Sequence, residues 1–427
     1  MSVAIFVLAA LALMIIGVPI AFALGAASLA YLLWLDVPLL AFVQQLSKGV
    51  DSYSLLALPF FILAGELMNH GGITDKILRF TNALVGHVKG GLAHANVISE
   101  MIFSGVTGSA VADAAAIGTV QLKAMGDNGY RKEFSVGLIS SAMTIGPVIP
   151  PSTIMVVYGI AAAVPIGTLF VGGLIPGVLM GIGLMLTIAF MARRGGLPKL
   201  RDAFDMRELV VSMREATFAL LAPVAIIGGI VGGVFTATEA GAVAVAYCFL
   251  VGKYWYRELQ WRHVFGAFTN AMMMTATILI IMGMSNSFAW LLAFQQVPAQ
   301  FAEQLLHISR SPEVILLLLM GMYLVLGCFM EAIAIVVMTI PVVMPVLAQV
   351  GVDPVHFGVL LAVNMALGTI TPPLGIVMYV ICDIAKVPAD FFARSIWPFT
   401  ISLVVVLILL TLVPSITLAL PRWVGLL

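Results

Sequence analysis

The chain has 427 residues, twenty basic and twenty acidic side chains, zero net formal charge and 62% hydrophobic content. Soluble domains carry about a quarter of their residues as charges, so a water-soluble enzyme of this size is excluded, and without a basic surplus nucleic acid is excluded as a partner. Cys248, Cys328 and Cys382 are too few for a disulfide scaffold, which leaves a polytopic membrane protein with room for about 10 to 14 crossings or part-crossings.

The N-terminus stays apolar to Leu35, with no basic leader and no clear cleavage site, and is read as a retained first membrane segment. With no organelle signature, a bacterial or archaeal inner membrane is the default location. Apolar stretches follow at 53–70, 92–122, 134–162, 167–192, 216–234, 236–251, 264–293, 311–349, 356–384 and 396–419. Several exceed what one perpendicular helix needs and hold Pro or Gly near the middle, so tilted helices, broken helices or re-entrant hairpins are expected. The most polar interval runs from Arg193 to Glu215 and includes Lys199, Arg201, Asp202 and Arg214. Such Lys- and Arg-rich joints belong in the cytoplasm. Lys253, Arg257 and Arg262 form a second candidate joint, and placing both on one side requires a paired crossing or a hairpin between them.

The polar joint divides the chain into 1–215 and 216–427, each expected to hold scaffold helices, a hairpin and a broken helix. One internal match supports the division: Ile145-Gly-Pro-Val-Ile-Pro-Pro-Ser-Thr-Ile154 against Leu367-Gly-Thr-Ile-Thr-Pro-Pro-Leu-Gly-Ile376, offset by 222 because 368 minus 146 is 222. The same offset sets Gly105 on Gly327, Ser109 on Glu331 and Gly129 on Gly351. Letters alone do not distinguish parallel from inverted repeats.

Proline lacks an amide hydrogen and clashes with the preceding turn, so Pro150-Pro151 and Pro372-Pro373 cannot sit inside continuous helices. One such motif is commonly a kink, whereas two at matched spacing point to functional breaks. Backbone groups freed at membrane depth need protein, a wet cavity or an ion to satisfy them, and Gly146 and Gly368 allow close backbone approach there. Upstream, Ser104, Thr107 and Ser109 supply hydroxyls around Gly105 and Gly108, the pattern of a hairpin tip. Hydroxyl and carbonyl oxygens suit a hard cation such as Na⁺. The matching Gly327-Cys328-Phe329-Met330-Glu331 is less polar, so its ligands would be carbonyls or come from Asn364, Thr369 and Thr371. Each hydroxyl taken alone fits helix packing or back-bonding equally well; clustering favours a site. Cations at helix C-terminal ends and amides at N-termini suit coupled transport of an anion.

Glu66, Glu100, Asp113, Glu239, Glu331 and Asp383 lie in or beside apolar stretches, where structural support is the expected role for most of them. No intramembrane Lys or Arg partners them. Neither HExxH nor a phosphate-binding Gly-Lys-Ser/Thr loop is present, and Ser104 with Asp113 lacks a base at defined spacing, so the chain is not read as an enzyme. A channel or uniporter is the main competitor, weakened by the lack of a recognisable filter or charged ring.

The runs SGVTGSAVAD (104–113), IGPVIPPS (145–152), GVDPVHFG (351–358) and NMALGTITPPLG (364–375), with GVPIAFALG (17–25) and LPFFILAGELM (58–68), resemble the DctM family, the large membrane subunit of tripartite ATP-independent periplasmic (TRAP) transporters. The resemblance covers essentially the whole chain. It implies an all-α polytopic membrane fold of the elevator type, with two inverted repeats that each contain a re-entrant hairpin and a broken helix. It also implies a small DctQ-like membrane subunit, a periplasmic DctP-like binding protein and sodium-driven import of an organic anion such as a C4-dicarboxylate or a sialic acid. An organic-anion carrier that works without a binding protein is the alternative. Two or more sodium ions are expected, with candidate ligands at Ser104, Thr107, Ser109, Gly146, Pro150, Gly327, Gly368, Thr369 and Pro372. Candidate substrate contacts are Ser104, Thr107, Gly108, Ser152, Met330, Asn364 and Thr371.

Overall fold

The computed structural model describes residues 3–195, 197–200, 203–328, 330–372 and 375–427. Of the positions singled out above, Arg201, Asp202, Phe329, Pro373 and Leu374 lie outside the described residues. The described residues form an all-α polytopic fold. Helices α1 (Val3–Ile15), α2 (Ile20–Trp34), α3 (Leu40–Val50), α4 (Ala57–His70) and α5 (Ile73–Val85) lead into a hairpin of α6 (Gly91–Thr107) and α7 (Ala110–Asp127). A broken helix follows as α8 (Lys132–Ala142) and α9 (Thr153–Ala161), and then α10 (Ile166–Arg193). Past the polar joint come α11 (Met206–Val231), α12 (Ala237–Leu250), α13 (Trp261–Phe294) and α14 (Val297–Ile308). The second hairpin is α15 (Pro312–Gly327) with α16 (Ala332–Val350), and the second broken helix is α17 (Pro354–Gly368) with α18 (Ile376–Ala385). Helices α19 (Ala389–Leu412) and α20 (Ser415–Trp423) close the chain.

The helix starts repeat the sequence offset: 332 minus 110 (α16 and α7) and 354 minus 132 (α17 and α8) are both 222. Local chemistry sets these boundaries. Gly108 ends α6 in the left-handed region at φ 64°, and Ser109 caps α7 by accepting from the Ala112 amide at 3.4 Å. Glu331, 222 positions on, does the same for α16 through the Ala334 amide at 3.1 Å. Asp353 caps α17 just before Pro354, which takes the first helical position where its missing amide hydrogen costs nothing.

Among the described residues, α10, α11, α13, α16 and α19 are each long and apolar enough to cross a membrane, and two further helix pairs reach that length and apolarity together but are sharply bent, as a broken span or a re-entrant loop would be. Residues 40–50 with 53–70 bend by 55°, and 297–308 with 312–327 by 119°. The 264–293 stretch, a candidate for interruption on length, is instead one continuous helix, α13, because it holds neither Pro nor paired Gly. Helix α16 runs on through Pro341 and Pro345.

Helix α17 is apolar nearly all round and buried over Val355–Gly368, and α8 is buried over Phe134–Ala142 although Ser135, Ser140 and Ser141 lie within that run, which makes the two the centre of the core. Each repeat reaches into the other. The Tyr158 hydroxyl on α9 donates to the Pro354 carbonyl at the start of α17 at 2.6 Å, and its ring occupies the space a side chain at Gly358 would need. Reciprocally, α18 packs on α7, where Ile381 lies against Gly118. A separate apolar cluster joins α1, α2, α3 and α13 through Phe6, Tyr31 and Phe288, with ring centroids 4.5 and 4.6 Å apart about Phe6. Helices α11 and α12 pack together as the helical pair between the basic joints, of which α11 alone is long and apolar enough to cross a membrane by itself. The Tyr256 hydroxyl donates to the Glu215 carbonyl at 2.7 Å, bringing both joints to one end of the molecule. There Arg79 of α5 binds Glu208 at 2.9 Å and Glu215 at 2.6 Å on α11.

Candidate ion and substrate site

Each hairpin tip meets the break of the following helix. In the first pair the Gly108 carbonyl accepts from the Thr153 amide at 3.5 Å and the Thr153 hydroxyl at 3.3 Å. A side chain at Gly108 would run into the Pro151 carbonyl, so only glycine permits this approach. Ser152 caps α9, accepting from the Met155 amide at 3.2 Å and donating to the Pro147 carbonyl. The Pro150–Pro151 peptide is cis. Between Ile145 and Ser152 the helical ladder lapses. Among the described residues no donor reaches the carbonyl oxygens of Gly146 and Pro150, although both residues are buried. Unpaired buried carbonyls are the groups a cation would satisfy.

The second pair also meets backbone to backbone. A Cβ on Gly327 would lie 3.1 Å from the Cα of Gly368. The Thr369 hydroxyl turns back to the Ala366 carbonyl at 2.6 Å and that of Thr371 to the Leu367 carbonyl at 2.7 Å, while the Thr369 carbonyl accepts from the Val377 amide at 3.0 Å.

A cavity of about 310 Å³ lies between the tips. The first residues of four helices border it: Ala110 of α7, Thr153 of α9, Ala332 of α16 and Ile376 of α18. Helix N-termini carry partial positive charge and free amides, so their convergence creates an anion-attracting centre without a cationic side chain. Among the described residues lining the cavity there is no Lys, Arg or His, and the charged groups are Glu66 and Glu331.

Of the expected site residues, Thr107, Ser109 and Thr369 line this cavity, and Gly327, Met330 and Thr369 border a narrow crevice beside it. Ser104, Ser152, Asn364 and Thr371 are not among the lining residues. Ser104 is buried and back-bonded to the Glu100 carbonyl at 2.6 Å, and the Asn364 amide donates to the Met320 carbonyl at 2.8 Å, tying α17 to α15. Gly146 and Pro150 lie in the first break, and Gly368 and Pro372 stand at the second. Asp113 sits behind the first tip with Oδ2 2.8 Å from where a Cβ on Gly146 would be, facing the buried carboxyl of Glu100. Sequence reasoning missed the wall supplied by α13, with Met274 and Thr277, and the placement of Glu66 on α4 within the cavity. Isolated polar residues in long apolar helices carry no positional signal.

Hairpins abutting broken helices around a shared, partly open cavity define a polytopic secondary-transporter fold. The same fold is seen in the solved YdaH transporter of Alcanivorax borkumensis, with TM-score 0.60 and 16% identity, covering 90% of this chain and 87% of that one. MtrF of Neisseria gonorrhoeae is comparable, with TM-score 0.59 and 13% identity over 87% and 83% of the two chains. Residues 7–416 match the model of the DctM component of the tripartite ATP-independent periplasmic transporter. The chain belongs to that family and is the large permease subunit of a TRAP-type transporter, a multi-pass protein of the bacterial inner membrane. It is 40% identical over 414 residues to the sialic acid TRAP transporter large permease SiaM of Vibrio cholerae, covering 96% of each chain. It is 36% identical over 426 residues to the 2,3-diketo-L-gulonate large permease YiaN of Escherichia coli, covering all of both. Identity to the C4-dicarboxylate large permease DctM of Pseudomonas aeruginosa is 37% over 381 residues, or 89% of each.

Proposed function

We propose that the chain imports an organic anion down a sodium gradient, receiving it from a periplasmic binding protein and working beside a small DctQ-like membrane subunit. The observation that carries this reading is the convergence of four helix N-termini on one cavity flanked by two tip-to-break contacts. The N-termini favour the substrate carboxylate, but Glu66 and Glu331 make the remaining field negative. Bound cations supply the compensating charge, and binding of ion and anion is thereby coupled.

The first sodium position is assigned to the oxygens of Ser104, Thr107, Ser109, Gly146 and Pro150, and the second to those of Gly327, Gly368, Thr369 and Pro372. The unpaired carbonyls of Gly146 and Pro150 support the first; the glycine-to-glycine approach supports the second. Ser104, Thr107, Gly108, Ser152, Met330, Asn364 and Thr371 remain the proposed substrate contacts, with Thr107 the one that lines the cavity. Division into halves 1–215 and 216–427, related by inversion and moving in elevator fashion, fits the repeated helix starts.

Uptake of radiolabelled anions into proteoliposomes containing both membrane subunits, with the cognate binding protein outside, tests the proposal. Uptake is expected to vanish when choline replaces sodium. Undiminished uptake in choline would refute sodium coupling, and full uptake without the binding protein would favour the self-sufficient carrier.

A further inference from the structure

Glu66 belongs to none of the tip or break motifs, yet it lines the cavity from α4. It is anchored there. Gly65 packs α4 against the first tip, a Cβ at that position falling 3.1 Å from the Cα of Thr107. The Glu66 side chain is 21% exposed, and its Oε2 lies 3.8 Å from His70 Nε2 one turn along the helix. Glu331 contributes a second carboxylate, but that one is committed to the Ala334 amide as a helix cap. Among the described residues the other polar side chains on the cavity wall are hydroxyls, from Thr107, Ser109, Thr153, Thr277 and Thr369.

Resting on the anion-transport reading above, we propose that Glu66 is a specificity-determining residue that makes this cavity select singly charged, hydroxyl-bearing carboxylates and reject dicarboxylates. One carboxylate is accommodated by helix N-termini and sodium. A second carboxylate on the same substrate would then face a fixed carboxylate in a confined space, and like charges at close range cannot both stay ionised without cost. An alcohol or amide N–H in its place donates to Glu66 instead, so one residue both rewards the right substrate and repels the wrong one.

The test uses the purified complex of both membrane subunits in detergent, with thermal stabilisation read against ligand concentration in sodium and in choline. The probes are D-gluconate and D-glucuronate as hydroxylated monoanions, with succinate and L-malate as dianions. In sodium, half-maximal stabilisation by the monoanions is expected at concentrations at least tenfold below those for the dianions. Glu66→Gln should shrink that ratio at least fivefold, partly by tightening succinate, and Glu66→Asp should preserve it. Sodium-dependent binding of succinate as tight as that of gluconate would overturn the proposal while leaving the anion-transport reading intact, as would an unchanged ratio in Glu66→Gln. Stabilisation by none of the four anions in sodium would count against both.

Discussion

A Cβ on Gly368 would lie 2.9 Å from the Cα of Gly327, so the end of α15 and the end of α17 touch backbone to backbone. No flexible side chain lies between them to yield. This contact holds the second tip against its break.

Gly368→Ala is therefore expected to push tip and break apart. Overpacking of this kind costs about 1–3 kcal/mol, and the melting temperature of the purified complex should fall by several degrees. Sodium-driven uptake should drop at least tenfold in protein that remains monodisperse. Wild-type uptake would show that the two backbones need not touch for transport.

The first tip allows a controlled comparison. Gly108 and Gly129 both have positive φ, 64° and 78°, but a Cβ on Gly129 meets nothing within 4 Å while one on Gly108 strikes the Pro151 carbonyl. Alanine at either site pays the left-handed cost of about 1–2 kcal/mol. Gly108→Ala alone should raise the sodium concentration for half-maximal uptake, by at least threefold. Equal sodium titrations in the two variants would place the effect in backbone strain rather than in the site.

Ser109→Ala removes the cap of α7 and should lower stability by about 1 kcal/mol, measured by denaturation of the detergent complex. Thr107→Val removes a hydroxyl from the cavity wall while keeping the shape of the side chain. Both should shift sodium dependence to higher concentration, and an unchanged titration in both would leave these hydroxyls with packing roles only.

Arg79, with 43% of its side chain exposed, joins α5 to α11 through Glu208 and Glu215. Water screens such pairs, so a double-mutant cycle of Arg79→Gln with Glu215→Gln should give a coupling below about 1 kcal/mol. The coupling should shrink further in high salt. A coupling above twice that size, insensitive to salt, would mean the cluster is shielded in the assembled complex.

Much of this architecture was legible because backbone constraints are written in particular letters. Gly108, Ser109 and the two Pro pairs mark where helices cannot continue, and the 222-residue offset of those letters reappears in the starts of α7 and α16 and of α8 and α17. Side-chain direction was not legible. Ser104 reads as part of a hydroxyl cluster, but a serine inside a helix readily bonds the carbonyl one turn back, and here it does so to Glu100. Asn364 reads as a candidate site residue and is placed as a tie to Met320. Glu66 and Thr277 line the cavity from α4 and α13, apolar helices with scattered polar residues whose spacing does not indicate which of them face it.

The Tyr158 hydroxyl clasps the start of α17 while α18 lies along α7. Each repeat thus bears on a helix of the other. A disturbance at either break is therefore felt in the opposite half of the chain, and a substitution such as Tyr158→Phe, made in one repeat, is answered at a helix start in the other.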